Sequence, residues 1–333
     1  MSISNSFKPM LPLRPTGIQT MLGSSKLRTW GANRMSAIAR DIIFETPDGV
    51  KLLGSYSQHE GHSAKGLVIL LHGWEGSADS TYILCTGRTL FNNGYNILRL
   101  NFRDHGESHH LNEGIFYAVL LEEVFQALKQ AAGLAGELPV FLVGFSLGGN
   151  FVLRILQRCI ADPIMNLHHV VAISPVLDPE KATLKIDRTF LIRRYFLKKW
   201  FRSLKKKQQL FPKLYDFNKV FSLNTILAVT DAMLHDYSDY GTSKDYFRQY
   251  SVVKQAIKDI TVPTTIIIAA DDPIIPVDDF HLLETNDLTT MIIQPYGGHN
   301  GFIDGFYLQG WYEQRMVMLF DEAARNSGIS EVG

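Results

Sequence analysis

Gly144-Phe145-Ser146-Leu147-Gly148 follows directly on the apolar run Pro139–Val143 and leads into a helical pattern. A Gly-x-Ser-x-Gly between a buried strand and a helix has the form of a nucleophile elbow. The serine must stand on a turn tight enough to lift its hydroxyl clear of the sheet. Small residues two before and two after it let the strand and helix backbones pass closely. The motif alone is a weak signal, because glycine and serine punctuate many ordinary turns. A serine hydroxyl becomes a useful nucleophile only when a base takes its proton and a carboxylate orients that base.

For a serine on such an elbow, the partners follow in the order Ser, Asp or Glu, His. Two later loops supply them. Ala270-Asp271-Asp272-Pro273-Ile274-Ile275-Pro276 ends one apolar run, and Pro295-Tyr296-Gly297-Gly298-His299-Asn300-Gly301-Phe302 follows the next. His299, flanked by glycines, can turn its ring toward Ser146. Asp272 is the preferred acid, since the Asp-Pro-Ile-Ile-Pro turn suits a carboxylate just past a strand; Asp271 is its neighbouring rival. Acyl transfer also needs N–H donors for an oxyanion. The backbone of Leu147, opening the helix after the serine, is one candidate. The Trp74 N–H in Leu71-His72-Gly73-Trp74-Glu75-Gly76-Ser77 is the other. Four such pieces in order, each at a strand end, point to a serine hydrolase scaffold.

Around these residues the chain shows an antiparallel entry followed by repeated β-α units. Residues 42–44 and 50–56 flank Pro47-Asp48-Gly49 and read as a hairpin. Apolar runs at 67–71, 95–100, 139–143, 170–173, 264–270 and 291–293 read as strands buried on both faces. Helical patterns occupy 82–92, 116–132, the segment after the elbow, and 310–325. The expected fold class is α/β, with a mostly parallel central sheet and helices on both faces. The hydrolase core spans 37–176 and 261–333. Residues 177–260 hold helical patterns and no convincing strand, and read as a helical cap inserted before the Asp-bearing strand. Residues 1–36 are a Pro-, Gly- and Ser-rich arm with little periodicity.

The composition excludes several classes. The 333 residues carry 33 Lys and Arg against 33 Asp and Glu, so no global field argues for nucleic acid. Two cysteines, Cys85 and Cys159, make no disulfide framework and fit a reducing cytosol. No apolar stretch is long enough to span a membrane, and the proline-broken N-terminus does not read as a signal peptide. A cytoplasmic protein is expected. The segment 190–207 mixes aromatic and aliphatic residues with Arg and Lys. One reading is a peripheral membrane contact; the preferred one is a cap helix with one face over the pocket and a solvated basic face. His72 reads as a structural imidazole. His105, His109 and His110 read as a solvated loop, since no ligand set at a recognised spacing accompanies them, and no metal is expected. The His299-x4-Asp304 spacing, a pattern linked with acyl transfer, reads as coincidence.

The sequence resembles the YheT-like family of α/β-hydrolases along most of its length. Phe7-Lys8-Pro9 with Ile18-Gln19-Thr20, His72-Gly73-Trp74-Glu75-Gly76-Ser77, Phe145-Ser146-Leu147-Gly148-Gly149-Asn150, Asp271-Asp272-Pro273 and Gly297–Ile303 carry the likeness. It departs at Phe102-Arg103-Asp104-His105-Gly106, where the family tends to have Phe-Arg-Gly. The resemblance implies a cofactor-free esterase with a Ser–Asp–His triad. A cap rich in apolar residues favours a small-molecule ester with an apolar acyl chain. An acyltransferase or thioesterase would use the same acyl-enzyme. A non-catalytic protein docking through the basic cap is the reading from another class. The oligomeric state is not legible.

Overall fold

A computed structural model describes residues 6–60, 64–253 and 257–326. The N-terminal segment contains α1 (Thr16–Gly23) and the short α2 (Arg34–Ala37), with single 3-10 turns at Leu11–Leu13 and Lys26–Thr29. Then come β1 (Arg40–Glu45), β2 (Lys51–Ser57), β3 (Leu67–Leu71), α3 (Thr81–Asn92), β4 (Asn96–Leu100), α4 (Leu121–Gly133), β5 (Val140–Phe145), α5 (Leu147–Ala161) and β6 (Leu167–Ile173). Four helices follow: α6 (Pro179–Arg188), α7 (Phe190–Leu210), α8 (Ile226–Tyr237) and α9 (Ser243–Tyr250). The chain closes with β7 (Thr264–Ala269), α10 (Asp278–His281), β8 (Thr289–Gln294) and α11 (Trp311–Asn326).

The main sheet has eight strands in the order β1-β2-β4-β3-β5-β6-β7-β8. β1 and β2 enter antiparallel, and β3 to β8 run parallel. Strand periodicity splits the core into two layers. Leu67, Ile69 and Leu71 face the cluster with Val124, Phe125 and Leu128 of α4 and Phe151, Val152 and Ile155 of α5. Val68 and Leu70 face the other, with Ile83 and Leu90 of α3 and Met316 and Phe320 of α11. Both faces are covered, which is why these strands are continuous apolar runs rather than alternating ones.

The sheet places the ends of β3, β5, β7 and β8 along one edge, the C-terminal edge at which open α/β sheets bind ligands. Among the described residues, 177–260 hold no strand, and α6 to α9 pack over that edge.

Three expectations change in detail. The helix expected over 116–132 begins only at Leu121, because the preceding backbone is already engaged: Phe116 N–H donates to Asp104 Oδ2 and Ala118 N–H to the Tyr246 hydroxyl. His105 and His109 are buried, not solvated; His105 Nε2 accepts from Glu75 N–H and His109 Nε2 lies 2.8 Å from Ser203 Oγ. The basic face of α7 is not wholly solvated either. Lys207 is only 1% exposed, and its Nζ lies 2.8 Å from Asp104 Oδ1 while donating to the carbonyls of Asn112 and Gly114.

Candidate active site

The β5–α5 turn is built by two close backbone approaches. A Cβ on Gly144 would lie 2.2 Å from the Gly148 oxygen, and one on Gly148 would lie 2.5 Å from the Leu71 oxygen. Only glycine fits either position. Ser146 itself has φ 56° and ψ −113°, a sparsely populated conformation for a residue with a side chain. It is held there because Ser146 N–H donates to the Ile173 carbonyl and the Ser146 carbonyl accepts from Asn150 and Val176. The hydroxyl therefore stands at the sheet edge with the start of α5 beside it. Leu147 is the first residue of that helix, so its N–H has no acceptor within the helix.

His299 reaches this hydroxyl from the loop after β8. Its Nε2 lies 2.9 Å from Ser146 Oγ and its Nδ1 lies 2.8 Å from Asp272 Oδ2. Asp272 sits three residues past β7 with its side chain fully buried, and its other oxygen accepts from the Ile274 and Ile275 N–H groups at 2.7 and 2.9 Å. With Nδ1–H donating to Asp272, Nε2 is left to accept from the serine. Asp271 is turned elsewhere. It accepts from Gly298 N–H at 2.9 Å and from the Thr16 hydroxyl at 2.6 Å, so it grips the backbone of the histidine loop rather than the ring.

That loop carries positive φ at Gly297, Gly298, Asn300 and Phe302 and is shaped by the N-terminal segment. The Thr20 hydroxyl accepts from His299 N–H at 3.0 Å. Gln19, fully buried, donates from Nε2 to the Leu13 and Ile303 carbonyls and accepts from Ile303 N–H at 2.7 Å. A Cβ on Gly301 would lie 2.4 Å from the Gln19 carbonyl oxygen. Within the arm expected at 1–36, α1 is thus a seat for the histidine loop. Sequence periodicity misses it because the inner positions of α1 (Thr16, Gln19, Thr20 and Gly23) are polar or small. Gln19→Leu should remove both bonds to Ile303 and lower unfolding free energy by about 2–6 kcal/mol, from two buried groups left unpaired at roughly 1–3 kcal/mol each. A urea midpoint within error of the native value would count against this role.

The loop after β3 faces the serine from the other side. His72 is buried, with Nδ1 2.8 Å from the Gly73 carbonyl and Nε2 accepting from Phe102 N–H, and burial holds its pKa well below the ordinary value. It fastens the loop. The Trp74 ring stacks on Phe196 with centroids 5.3 Å apart and meets Trp200 edge-on at 5.0 Å, both from α7. Lys199 Nζ, one helical turn along, donates to the Glu75 carbonyl at 2.9 Å. The loop carrying the Trp74 N–H is therefore clamped by α7.

Burial also pushes His105 down to about 4, so it is neutral in the folded protein where an unfolded histidine titrates near 6.5. Between those values the unfolded chain binds more protons, so stability is lost as pH falls from 6.5 toward 4. Native protein should lose about 1.4 kcal/mol more per pH unit over this window than His105→Gln. Urea unfolding at pH 7, 6 and 5 measures the difference; parallel curves would contradict it.

Ser146 opens onto a pocket under α6 to α9. Its walls are mainly apolar, with Ile115, Phe116, Leu147, Ile186, Met233 and Phe247 among them. Trp74 and Leu147 border it beside Ser146. No cluster of metal-ligating side chains occurs among the described residues.

This sheet, with a serine and a histidine at its C-terminal edge, defines the class: an α/β-hydrolase of the serine esterase and lipase type. Residues 62–287 match the hydrolase family described as serine aminopeptidase, S33, and the chain belongs to that family. Within it, the likeness to the YheT-like branch holds: YheT of Escherichia coli is 27% identical over 286 residues, covering 82% of each chain. Human phospholipase ABHD3 is 20% identical over 316 residues, covering 92% of this chain and 77% of its own length. Among solved structures, a Pyrococcus furiosus esterase superposes with a TM-score of 0.54 at 17% identity, over 89% of this chain and 94% of the other. The Pyrobaculum calidifontis hyperthermophilic esterase gives 0.58 at 13% identity, over 94% and 91%. At such identities these structures share the fold. Among the described residues, no helix is long and apolar enough to cross a membrane.

Proposed function

We propose that this chain hydrolyses carboxylic esters of apolar acids through an acyl-enzyme on Ser146. The observation that carries the reading is the continuous chain from Ser146 Oγ to His299 (2.9 Å) to Asp272 (2.8 Å), opening onto an apolar pocket. Ser146 Oγ attacks the acyl carbon as its proton passes to His299 Nε2. The N–H groups of Trp74 and Leu147 stabilise the oxyanion, and Asp272 stabilises the imidazolium. The C–O bond to the alcohol breaks and the alcohol takes the proton from Nε2. A water molecule, deprotonated by the same nitrogen, then releases the acid and restores the serine.

Helices α6 to α9 act as a cap whose inner face receives the acyl chain. Relatives named phospholipase and monoacylglycerol lipase support an acyl ester as the substrate class. A p-nitrophenyl ester series from acetate to palmitate tests the reading. Expected is a maximum at an acyl chain longer than acetyl. A flat profile, or no turnover of any ester, would count against it. Acylated glycerol appearing when glycerol is added would assign the acyl-enzyme to transfer instead.

A further inference from the structure

Ser146 lies where two spaces meet. One is the apolar pocket. The other is a polar cleft bordered by Ser146, His299 and Asn300, and neither of the latter two residues lines the pocket. If the ester reading holds, this division assigns the two halves of the substrate. The leaving alcohol must collect its proton from His299 Nε2, so its oxygen departs on the cleft side. The acyl chain is left to the apolar side.

The cleft is lined with cations from two elements. Lys199, Arg202 and Lys206 project from one face of α7 at helical spacing, and Lys26 stands on the N-terminal segment. Four carboxyl groups also border the cleft, but each is accounted for. Asp79 is paired with Arg99, Asp104 with Lys207 and Glu107 with Lys206. Glu75 is half-buried, and withdrawal from water pushes its carboxyl up to about 8, leaving it mostly uncharged at neutral pH. Among the described residues, no carboxylate pairs with Lys26, Lys199 or Arg202. The cleft thus keeps an uncompensated positive charge beside the leaving-group side of the serine.

We propose that this cleft is an anion subsite, and that the preferred substrate is an apolar acyl ester whose alcohol carries a phosphate group. Arg202 offers the planar fork suited to phosphate oxygens, while Lys26 and Lys199 supply point charges. The subsite selects the alcohol; the pocket across Ser146 selects the acid.

A matched pair of monomeric esters tests this: 1-hexanoylglycerol and 1-hexanoylglycerol 3-phosphate, compared by kcat/KM at low salt. The expected preference for the phosphate ester is about tenfold or more, shrinking as salt screens the charges. In Lys26→Glu/Arg202→Glu, changed at two exposed positions, the ratio should fall to about one or below. Lys199 is left in place because it also holds the Glu75 carbonyl.

Equal rates for the two esters in the native protein, with p-nitrophenyl hexanoate still hydrolysed, would overturn the subsite alone. A preference that survives the double substitution would overturn it too. So would a preference seen only when the ester is presented in vesicles, which would assign these cations to a lipid surface. Failure to hydrolyse p-nitrophenyl hexanoate at all would overturn the ester reading, and the subsite with it.

Discussion

Ser146→Ala is expected to lower kcat for a p-nitrophenyl ester by on the order of 10⁵–10⁶ while leaving the fold unchanged. Alanine keeps the Cβ that already fits at φ 56°, and the Ser146 backbone bonds to Ile173, Asn150 and Val176 do not involve the hydroxyl. What disappears is the atom 2.9 Å from His299 Nε2. The remaining rate would come from binding and oxyanion stabilisation alone. An unchanged urea midpoint would show that the loss is chemical. Activity within tenfold of native would mean that another group attacks the ester.

Asp272→Asn should cost about 10⁴ in kcat, because an amide there no longer fixes the Nδ1–H tautomer that leaves Nε2 able to accept the serine proton. The buried position of Asp272, and its bonds to Ile274 and Ile275, make the native carboxylate oxygen opposite Nδ1 rigid. Asp271→Asn is the informative contrast. Asp271 touches Gly298 and Thr16, not the ring, so its loss loosens the loop and should lower kcat by about tenfold or less. Measuring both variants at pH 8 separates the two roles. A larger loss for Asp271→Asn would reverse them.

The parts of this architecture that were readable in the sequence share one cause. Strands β3, β4, β5 and β7 and the second half of β6 are buried on both faces, so each is largely apolar, and the loops at their ends could be located from the apolar runs. The elbow announced itself because close backbone approach admits only glycine at 144 and 148. The choice of Asp272 over Asp271 rested on turn chemistry, and it is Asp272 whose Oδ2 lies 2.8 Å from His299 Nδ1.

Other parts depended on partners far away in the chain. Helix α1 has a polar inner face because it serves loop carbonyls and N–H groups instead of a core, and apolar periodicity carries no such signal. His105, His109 and Lys207 look like residues for water until α7 closes over the loop after β4. Their burial is a property of that packing, not of the local sequence. The clamp of α7 on Trp74 and Glu75 is likewise a tertiary fact.

The most direct test of the central claim is covalent. Native protein treated with a fluorophosphonate should gain one adduct, mapped by peptide mass spectrometry to Ser146, and Ser146→Ala should gain none. Absence of labelling in folded native protein, or an adduct that persists in Ser146→Ala, would contradict a nucleophilic serine at this elbow.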